Sequence, residues 1–409
     1  STDLKYWYPT SVMVTGYDII FFWVARMIFS GMEQMKKEPF KTVFIHGLVR
    51  DDKGRKMSKS LGNGIDPLEV IAQYGADALR FMLVDGSTPG NDMRYIEKKV
   101  EAARNFANKL WNAARFILMN LDGSEQAELP EELALEDKWV LSLYNDLVRE
   151  VTDNLERFEL GIAVQKLYDF IWDVFCDWYI ELAKIRLQKG GEPAQCAKRV
   201  LIYVMSNVLK LLHPFMPFIT EEIYCTLNPE EDSIMIAAWP KETEDFAYAE
   251  DEAAVEMMKE AVRSIRGVRT SMNVPPSKKA SVFVVTEDAA VQETFKNGAV
   301  FFGTLAGASE VHVQADKAGI ADDAVSAVIP QATIYIPFAE LVDLEKEIAR
   351  LTKEEERLTK EIARSNGMLG NPNFINKAPE AKVQAEKEKL ANYQQMMEQV
   401  QTRLEQLKK

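Results

Sequence analysis

The sequence is organised around one stretch, Gly54-Arg55-Lys56-Met57-Ser58-Lys59-Ser60-Leu61-Gly62-Asn63-Gly64. Three cationic side chains fall within five positions of it, and small residues and glycines surround them. This composition predicts an exposed, mobile loop that can close on a polyanion. A solvated surface turn is the other interpretation of the same pattern.

The flanks of this loop favour a ligand-binding role. An apolar, strand-like run from Val43 to Val49 leads into the loop, and a helical pattern from Pro67 to Val84 follows it. Asp66 and Pro67 are a typical cap and first residue of a helix. Because ligands bind outside the carboxyl ends of strands in open α/β sheets, the loop is expected to lie at such an edge.

A second strand is predicted before the loop. Tyr8 to Gly16 reads as a short β-rich run, and an apolar helix from Asp18 to Phe29 leads to the strand from Thr42 to Val49. Strand, helix and strand form the unit of a parallel sheet. Gly16 would allow a ligand close to the backbone, and Asp18 is either a helix cap or a ribose-binding carboxylate.

The chemistry of the loop suits a triphosphate. Lys56 and Lys59 can each place an ammonium group on a phosphate, while Ser58, Ser60 and the amides beside the glycines offer hydrogen bonds. Such groups would stabilise a leaving group that gains charge in the transition state.

Lys56 to Ser60 also resembles, letter for letter, the second signature of the class I aminoacyl-tRNA synthetases, and Thr15 to Met27 is similar to their valine-specific branch. The resemblance implies ATP with Mg²⁺, no protein-bound metal, and a catalytic role for Lys56 and Lys59. It assigns ATP contacts to Gly16, Asp18, His46, Gly47, Lys56, Met57, Ser58, Lys59 and Ser60. His46 has a plainer alternative as a hydrogen-bonded residue at a strand end.

The first signature of that class, H-x-G-H, is missing, because His46, His213 and His312 do not form the pattern. The chain is therefore expected to be the C-terminal portion of a longer enzyme. The first half of the active site and the editing domain would lie elsewhere, and this portion is not expected to activate valine by itself.

Four domains are predicted, mainly helical in total. Residues 1–100 would form the C-terminal part of a Rossmann-type α/β catalytic domain, and residues 101–245 a helical bundle resembling an anticodon-binding domain. Residues 246–337 would form a small α/β connector and residues 338–409 an antiparallel coiled-coil hairpin. In the bundle, aromatic residues at helical spacing are predicted to form core: Tyr168, Phe170, Trp172, Phe175, Trp178 and Tyr179.

The connector contains a cluster of cations in an acidic chain. Its members are Arg263, Arg266, Arg269, Lys278 and Lys279. Contact with a tRNA backbone and a plain solvated surface are both open interpretations.

Two heptad patterns predict the hairpin. The first runs from Leu341 to Ile362 with Glu355 as a polar member, and the second from Val383 to Leu407 with Glu386 as a polar member. The stretch from Gly367 to Pro379 suits the reversal. By itself such an arm is an oligomerisation or spacer element, whereas the resemblance implies contact with the outer corner of a tRNA, with matches at 371–374 and 377–379.

Composition limits the other possibilities. The chain has 409 residues, a net charge of −14 and three cysteines, which argues against bulk coating of nucleic acid and against a disulfide framework. No membrane span is expected, and a cytoplasmic monomer is predicted, with a valine-accepting tRNA, valine and ATP as partners. The alternatives are a noncatalytic tRNA-binding module with a vestigial ATP loop, and a coiled-coil scaffold.

Overall fold

The computed structural model describes residues 1–123, 128–341, 344–371 and 379–408. These residues form two compact units, Ser1–Glu256 and Met257–Lys409. The protein is mainly helical and multidomain, while the finer division into four domains stays a prediction.

A parallel strand pair opens the first unit after helix α1 (Thr2–Trp7). Strand β1 (Thr10–Gly16) pairs with β2 (Phe40–His46), and Gly16 lies opposite His46. This confirms the predicted strand–helix–strand unit. The second strand is shorter than predicted and ends at His46, and the Gly47 backbone then lies against the segment at Asn91. A Cβ at Gly47 would lie 1.8 Å from the Asn91 carbonyl oxygen.

The connection between β1 and β2 begins irregularly. A 3-10 turn (Tyr17–Ile19) and a π turn (Ile20–Val24) precede helix α2 (Ala25–Met35). The predicted regular helix from Asp18 was therefore wrong at its start. Aromatic and β-branched residues fill the π turn, and these residue types have low α-helix propensity.

A second parallel pair follows, formed by β3 (Val49–Arg50) and β4 (Met93–Arg94). Between them lie α3 (Pro67–Tyr74) and α4 (Ala76–Val84). The Asp66 side chain caps α3 by accepting a hydrogen bond from the Leu68 amide at 2.9 Å, as predicted. The continuous helix predicted over this region was wrong, because Gly75 takes φ +90° and interrupts it.

The bundle consists of long helices with an apolar core. Helices α5 to α10 cover Glu97–Asn120, Leu135–Glu156, Leu160–Asp169, Ile180–Lys189, Gly191–Leu212 and Pro217–Leu227. A π-helical segment (Phe170–Tyr179) joins α7 to α8. It contains five of the predicted core aromatics, of which four are buried and Trp172 is half-buried; the sixth, Tyr168, lies in α7 and is also half-buried. The aromatic stripe is thus mainly core, as predicted.

Two side chains of α4 fasten the β-strand region to the bundle. The Asp77 carboxylate accepts hydrogen bonds from the Phe218 and Ile219 amides at 3.2 and 2.7 Å, which caps the N-terminus of α10. Arg80 donates to the Pro214 and Phe215 carbonyls. Helix α10 begins at Pro217, directly before the two amides that Asp77 binds.

Helix α11 (Ala249–Ser271) begins in the first unit and ends in the second. The second unit has a four-stranded sheet in the order β6-β5-β8-β7, with β5 and β6 parallel and the other pairs antiparallel. Its strands are β5 (Ala280–Val285), β6 (Ala308–Gln314), β7 (Val325–Ile329) and β8 (Ala332–Ile336). Helices α12 (Ala289–Asn297) and α13 (Ala299–Leu305) connect β5 to β6.

A helical hairpin completes the second unit. The short helix α14 (Phe338–Leu341) is tied to the sheet by a hydrogen bond from the Ser281 amide to the Glu340 carboxylate. Helices α15 (Leu344–Leu369) and α16 (Glu380–Lys408) then pack antiparallel. Most of the predicted reversal, residues 372–378, lies outside the described residues, as do most of the matching positions quoted there.

Candidate functional site

The candidate site begins at the carboxyl ends of β1 and β2. Gly16 is buried, and a Cβ there would lie 2.9 Å from the Asp18 Oδ1 atom, so a side chain would crowd the turn. Asp18 lies inside the 3-10 turn that follows, and Gly16 occupies the cap position. The interpretation of Asp18 as a helix cap was therefore wrong, and its half-exposed carboxylate lies beside the strand ends.

Asp92 holds three segments of this edge together. Its Oδ1 atom accepts a hydrogen bond from the Leu48 amide at 2.7 Å, and its Oδ2 atom accepts one from the Tyr17 hydroxyl at 3.1 Å. Arg50 forms an ion pair with the same carboxylate. The Leu48 amide contributes most to lowering the pKa of Asp92, and burial opposes it. The chain after β1 is thereby fixed to the chain after β2.

His46 makes a local contact. Its Nδ1 atom lies 2.8 Å from the Gly47 carbonyl oxygen, so Nδ1 must donate, and the ring is otherwise exposed. This contact agrees with the alternative prediction for His46, a hydrogen-bonded residue at the end of a strand. It also leaves the other ring nitrogen on the exposed side of the sheet edge.

We call residues 54–64 the lysine loop. Asp51, which is only 4% exposed, closes the base of this loop. Its Oδ1 atom accepts from the amides of Lys53 and Arg55 at 3.1 and 2.7 Å, and its Oδ2 atom accepts from Arg55 Nε at 2.7 Å. A hydrogen bond from Asn63 is the largest cause of a pKa lowered to about 2, with Arg55 acting in the same direction. Asp51 is thus a fixed carboxylate at neutral pH.

Asn63 closes the loop from its other end. Its Nδ2 atom donates to Asp51 Oδ2 at 3.0 Å and to the Lys56 carbonyl at 3.3 Å, and its Oδ1 atom accepts from the Ser58 amide at 3.0 Å. One amide side chain therefore bridges positions 51, 56 and 58. We call Asp51 and Asn63 together the loop clamp.

The clamp leaves the loop cations on the surface. Lys56 and Lys59 are exposed, and Lys56 Nζ lies 3.5 Å from Asp18 Oδ2. The Ser58 and Ser60 hydroxyls lie 3.2 Å apart, and Met57 is half-buried. The structure thus brings Lys56 to the strand ends that carry Gly16, Asp18, His46 and Gly47. It shows no corresponding contact for Met57, Ser58, Lys59 or Ser60 among the described residues.

Sequence reasoning missed the loop clamp and Asp92. The signal for Asp51 was present, since an Asp at the start of a tight turn accepts amides two to four residues later. Asn63 and Asp92 gave no comparable signal, because their partners are set by tertiary contacts.

Only some members of the cationic cluster in the second unit are exposed to solvent. Arg269 is 8% exposed and donates to the Pro275 carbonyl at 3.1 Å and to the Lys278 carbonyl. Burial lowers its pKa. Its inclusion in a solvent-exposed patch was therefore wrong, whereas Arg263, Arg266 and Lys279 are exposed and Lys278 is half-buried.

Metal clusters and membrane-spanning helices are both absent from the described residues. These residues contain no group of three or more His, Cys, Asp or Glu side chains placed to hold a metal ion. They also contain no helix that is both long and apolar enough to span a bilayer.

Three family models match the chain. Residues 1–96 match the class I tRNA synthetases for isoleucine, leucine, methionine and valine, and residues 137–284 match the anticodon-binding domain of tRNA ligases. Residues 343–408 match the tRNA-binding arm of valyl-tRNA synthetases. With the loop and sheet edge described above, these matches place the chain in the family of class I aminoacyl-tRNA synthetases.

Similar proteins specify the branch of that class. The valine–tRNA ligases of Clostridium tetani and Clostridium acetobutylicum are each 54% identical over 99% of this chain and 46% of their own length. The ligase of Carboxydothermus hydrogenoformans is 50% identical over 98% of this chain and 46% of its length. The chain belongs with the valine–tRNA ligases and spans about half the length of these curated relatives. A noncatalytic module is not favoured.

Proposed function

We propose that this chain is the C-terminal portion of a valine–tRNA ligase, which activates valine with ATP and Mg²⁺ and transfers it to the 3′ end of its tRNA. One observation carries the proposal. Two exposed lysines project from a loop whose base is clamped, and one of them lies 3.5 Å from a carboxylate at the carboxyl end of a parallel strand pair. Ligands bind at such edges in α/β sheets.

Each group has a proposed role in holding ATP. Gly16 and Asp18 would contact the ribose, and His46 and Gly47 the adenine end. Lys56 and Lys59 would stabilise the negative charge that develops on the departing pyrophosphate, with Met57, Ser58 and Ser60 shaping the loop around the phosphates. Phosphate oxygens would supply ligands for Mg²⁺, which is commonly bound through substrate phosphates rather than by a full set of protein groups.

The remaining domains would serve tRNA. The bundle would bind the anticodon region and the coiled-coil arm the outer corner of the tRNA, in agreement with the descriptions of the two matching models. We propose further that the whole ligase is monomeric and cytoplasmic.

The test is a Lys59→Ala substitution in the whole ligase, measured by valine-dependent ATP–pyrophosphate exchange. Loss of a group that acts as leaving charge develops is expected to lower kcat by about 100- to 1000-fold, with a smaller change in KM for ATP. Lys98→Ala is the control, because Lys98 is an exposed lysine of α5, outside the loop. Unchanged exchange in the Lys59 variant would refute the role of the loop.

A further inference from the structure

The second unit contains a basic pocket that the proposed ATP and anticodon sites do not use. It has a volume of about 440 Å³ and lies where the end of α11, the loop before β5 and the turn between α13 and β6 meet. Arg266, Arg269 and Lys279 line it together with Thr270 and Thr304. Among the described residues that line it, none is acidic.

Each cation has a defined place in this pocket. Arg266 is exposed, and its Nε atom donates to the carbonyl of Leu305, another lining residue, at 2.7 Å, which anchors the guanidinium at the pocket. Lys279 and the hydroxyl-bearing Thr270 and Thr304 are also exposed. Two cations and two hydroxyls therefore surround one opening, which is the donor set that phosphate oxygens accept.

Arg269 acts as the support of the pocket. Its guanidinium binds two carbonyls of the 275–278 loop, so it fixes the backbone that carries Lys279. Gly307 turns with φ +67°, and a Cβ there would lie 3.1 Å from the Arg269 guanidinium carbon. The close approach keeps the buried arginine in place. The buried Arg269 side chain and the close Gly307 backbone thus hold the pocket in shape. This buried support distinguishes the pocket from a plain solvated surface.

We propose that this pocket binds backbone phosphates of an RNA. The inference rests on the proposed function, and it adds an RNA contact outside the helical bundle and the coiled-coil arm. Residues 137–284 match the anticodon-binding model and residues 343–408 the tRNA-binding arm model, and Arg266, Arg269 and Lys279 fall at the end of the first. In a chain of net charge −14, a local basic pocket admits a polyanion only where its shape allows contact.

The test measures binding of a valine-accepting tRNA transcript to the full 409-residue chain by fluorescence anisotropy at several salt concentrations. For Lys279→Gln we expect several-fold weaker binding and a slope of log K against log salt reduced by about 1, as for loss of one phosphate contact. Lys279→Arg should keep both the affinity and the slope. Lys296→Gln is the charge-matched control, because Lys296 is an exposed lysine of α12 that does not line the pocket.

The outcomes separate the two proposals. Equal affinity and slope in Lys279→Gln and the unaltered chain would overturn the pocket and leave the proposed function standing. An equal loss in Lys296→Gln would also overturn it, by showing that charge alone matters. No binding of tRNA by the unaltered chain, with folding confirmed by circular dichroism, would count against both proposals.

Discussion

At the scale of single residues, the loop clamp decides how the two lysines are presented. Asp51 and Asn63 carry neither the charge nor the exposure expected of a phosphate-binding group, yet their hydrogen bonds reach positions 53, 55, 56 and 58. Because the folded pKa of Asp51 is depressed to about 2, its stabilising contribution is present above its ordinary pKa. It is lost only as the pH falls towards 2.

We expect Asn63→Ala in the whole ligase to lower valine-dependent pyrophosphate exchange by about 10- to 100-fold. The physical reason is that a reactive group displaced by about 1 Å can cost a factor of this size. The change should appear mainly in kcat, since the lysines themselves remain. Leu61→Ala is the control, because that side chain is 60% exposed in the same loop and should be nearly silent. Full activity of the Asn63 variant would contradict a positioning role.

At the scale of elements, two polar pairs set the register of the hairpin. Ser365 is 2% exposed, and its hydroxyl donates to Glu386 Oε1 at 2.6 Å on the opposite helix. Gln401 donates to Glu355 Oε1 at 3.0 Å. The two glutamates are the polar members predicted in the heptads. Leu358 is buried between the two pairs, and Leu351 and Leu404 are buried beyond the Glu355–Gln401 pair. A shifted register would leave a carboxylate without its partner.

Replacement of Ser365 by Ala should therefore destabilise the hairpin by about 1 to 3 kcal/mol, because the Glu386 carboxylate loses a buried donor. Hydrogen exchange of the α15 and α16 amides measures this locally. The matched control is Thr359→Ala, which removes an exposed hydroxyl from the same helix and should change stability by less than about 0.5 kcal/mol. Equal exchange rates in the two variants would disprove the register role.

At the scale of the whole molecule, the chain combines two compact units with separate proposed tasks. The first carries the lysine loop and the bundle, and the second carries the basic pocket and the arm. Four hydrogen bonds join the loop-bearing region to the bundle within the first unit, two accepted by Asp77 and two donated by Arg80. The arm meets its own unit through α14, where Glu340 binds the Ser281 amide.

Ending the chain after Leu341 should weaken binding of a valine-accepting tRNA by about tenfold or more, because two linked contacts bind better than one. Binding of a noncognate tRNA should change less. The comparison is made at two salt concentrations, and thermal unfolding should show that the first unit is unaffected. Selective binding of undiminished strength in the shortened chain would show that the arm does not contribute.

The local features of this protein can be predicted from its sequence. The lysine loop, the parallel strand pair, the Asp66 cap and the two polar positions in the heptads depend on neighbouring residues or on regular spacing, and a linear pattern can reveal them. The anticodon contacts and the four-domain division remain predictions.

The pairing of polar groups, in contrast, depends on how the chain folds. The folded structure buried Arg269, which donates to the Pro275 carbonyl. A cation predicted for the surface therefore stabilises the 275–278 loop instead. The fold also placed Asp92 against Leu48 and Tyr17, and Asp77 against the start of α10, across 44 to 142 positions of sequence. The physical reason is that hydrogen bonds and burial depend on distances in the folded chain, which residue spacing does not specify.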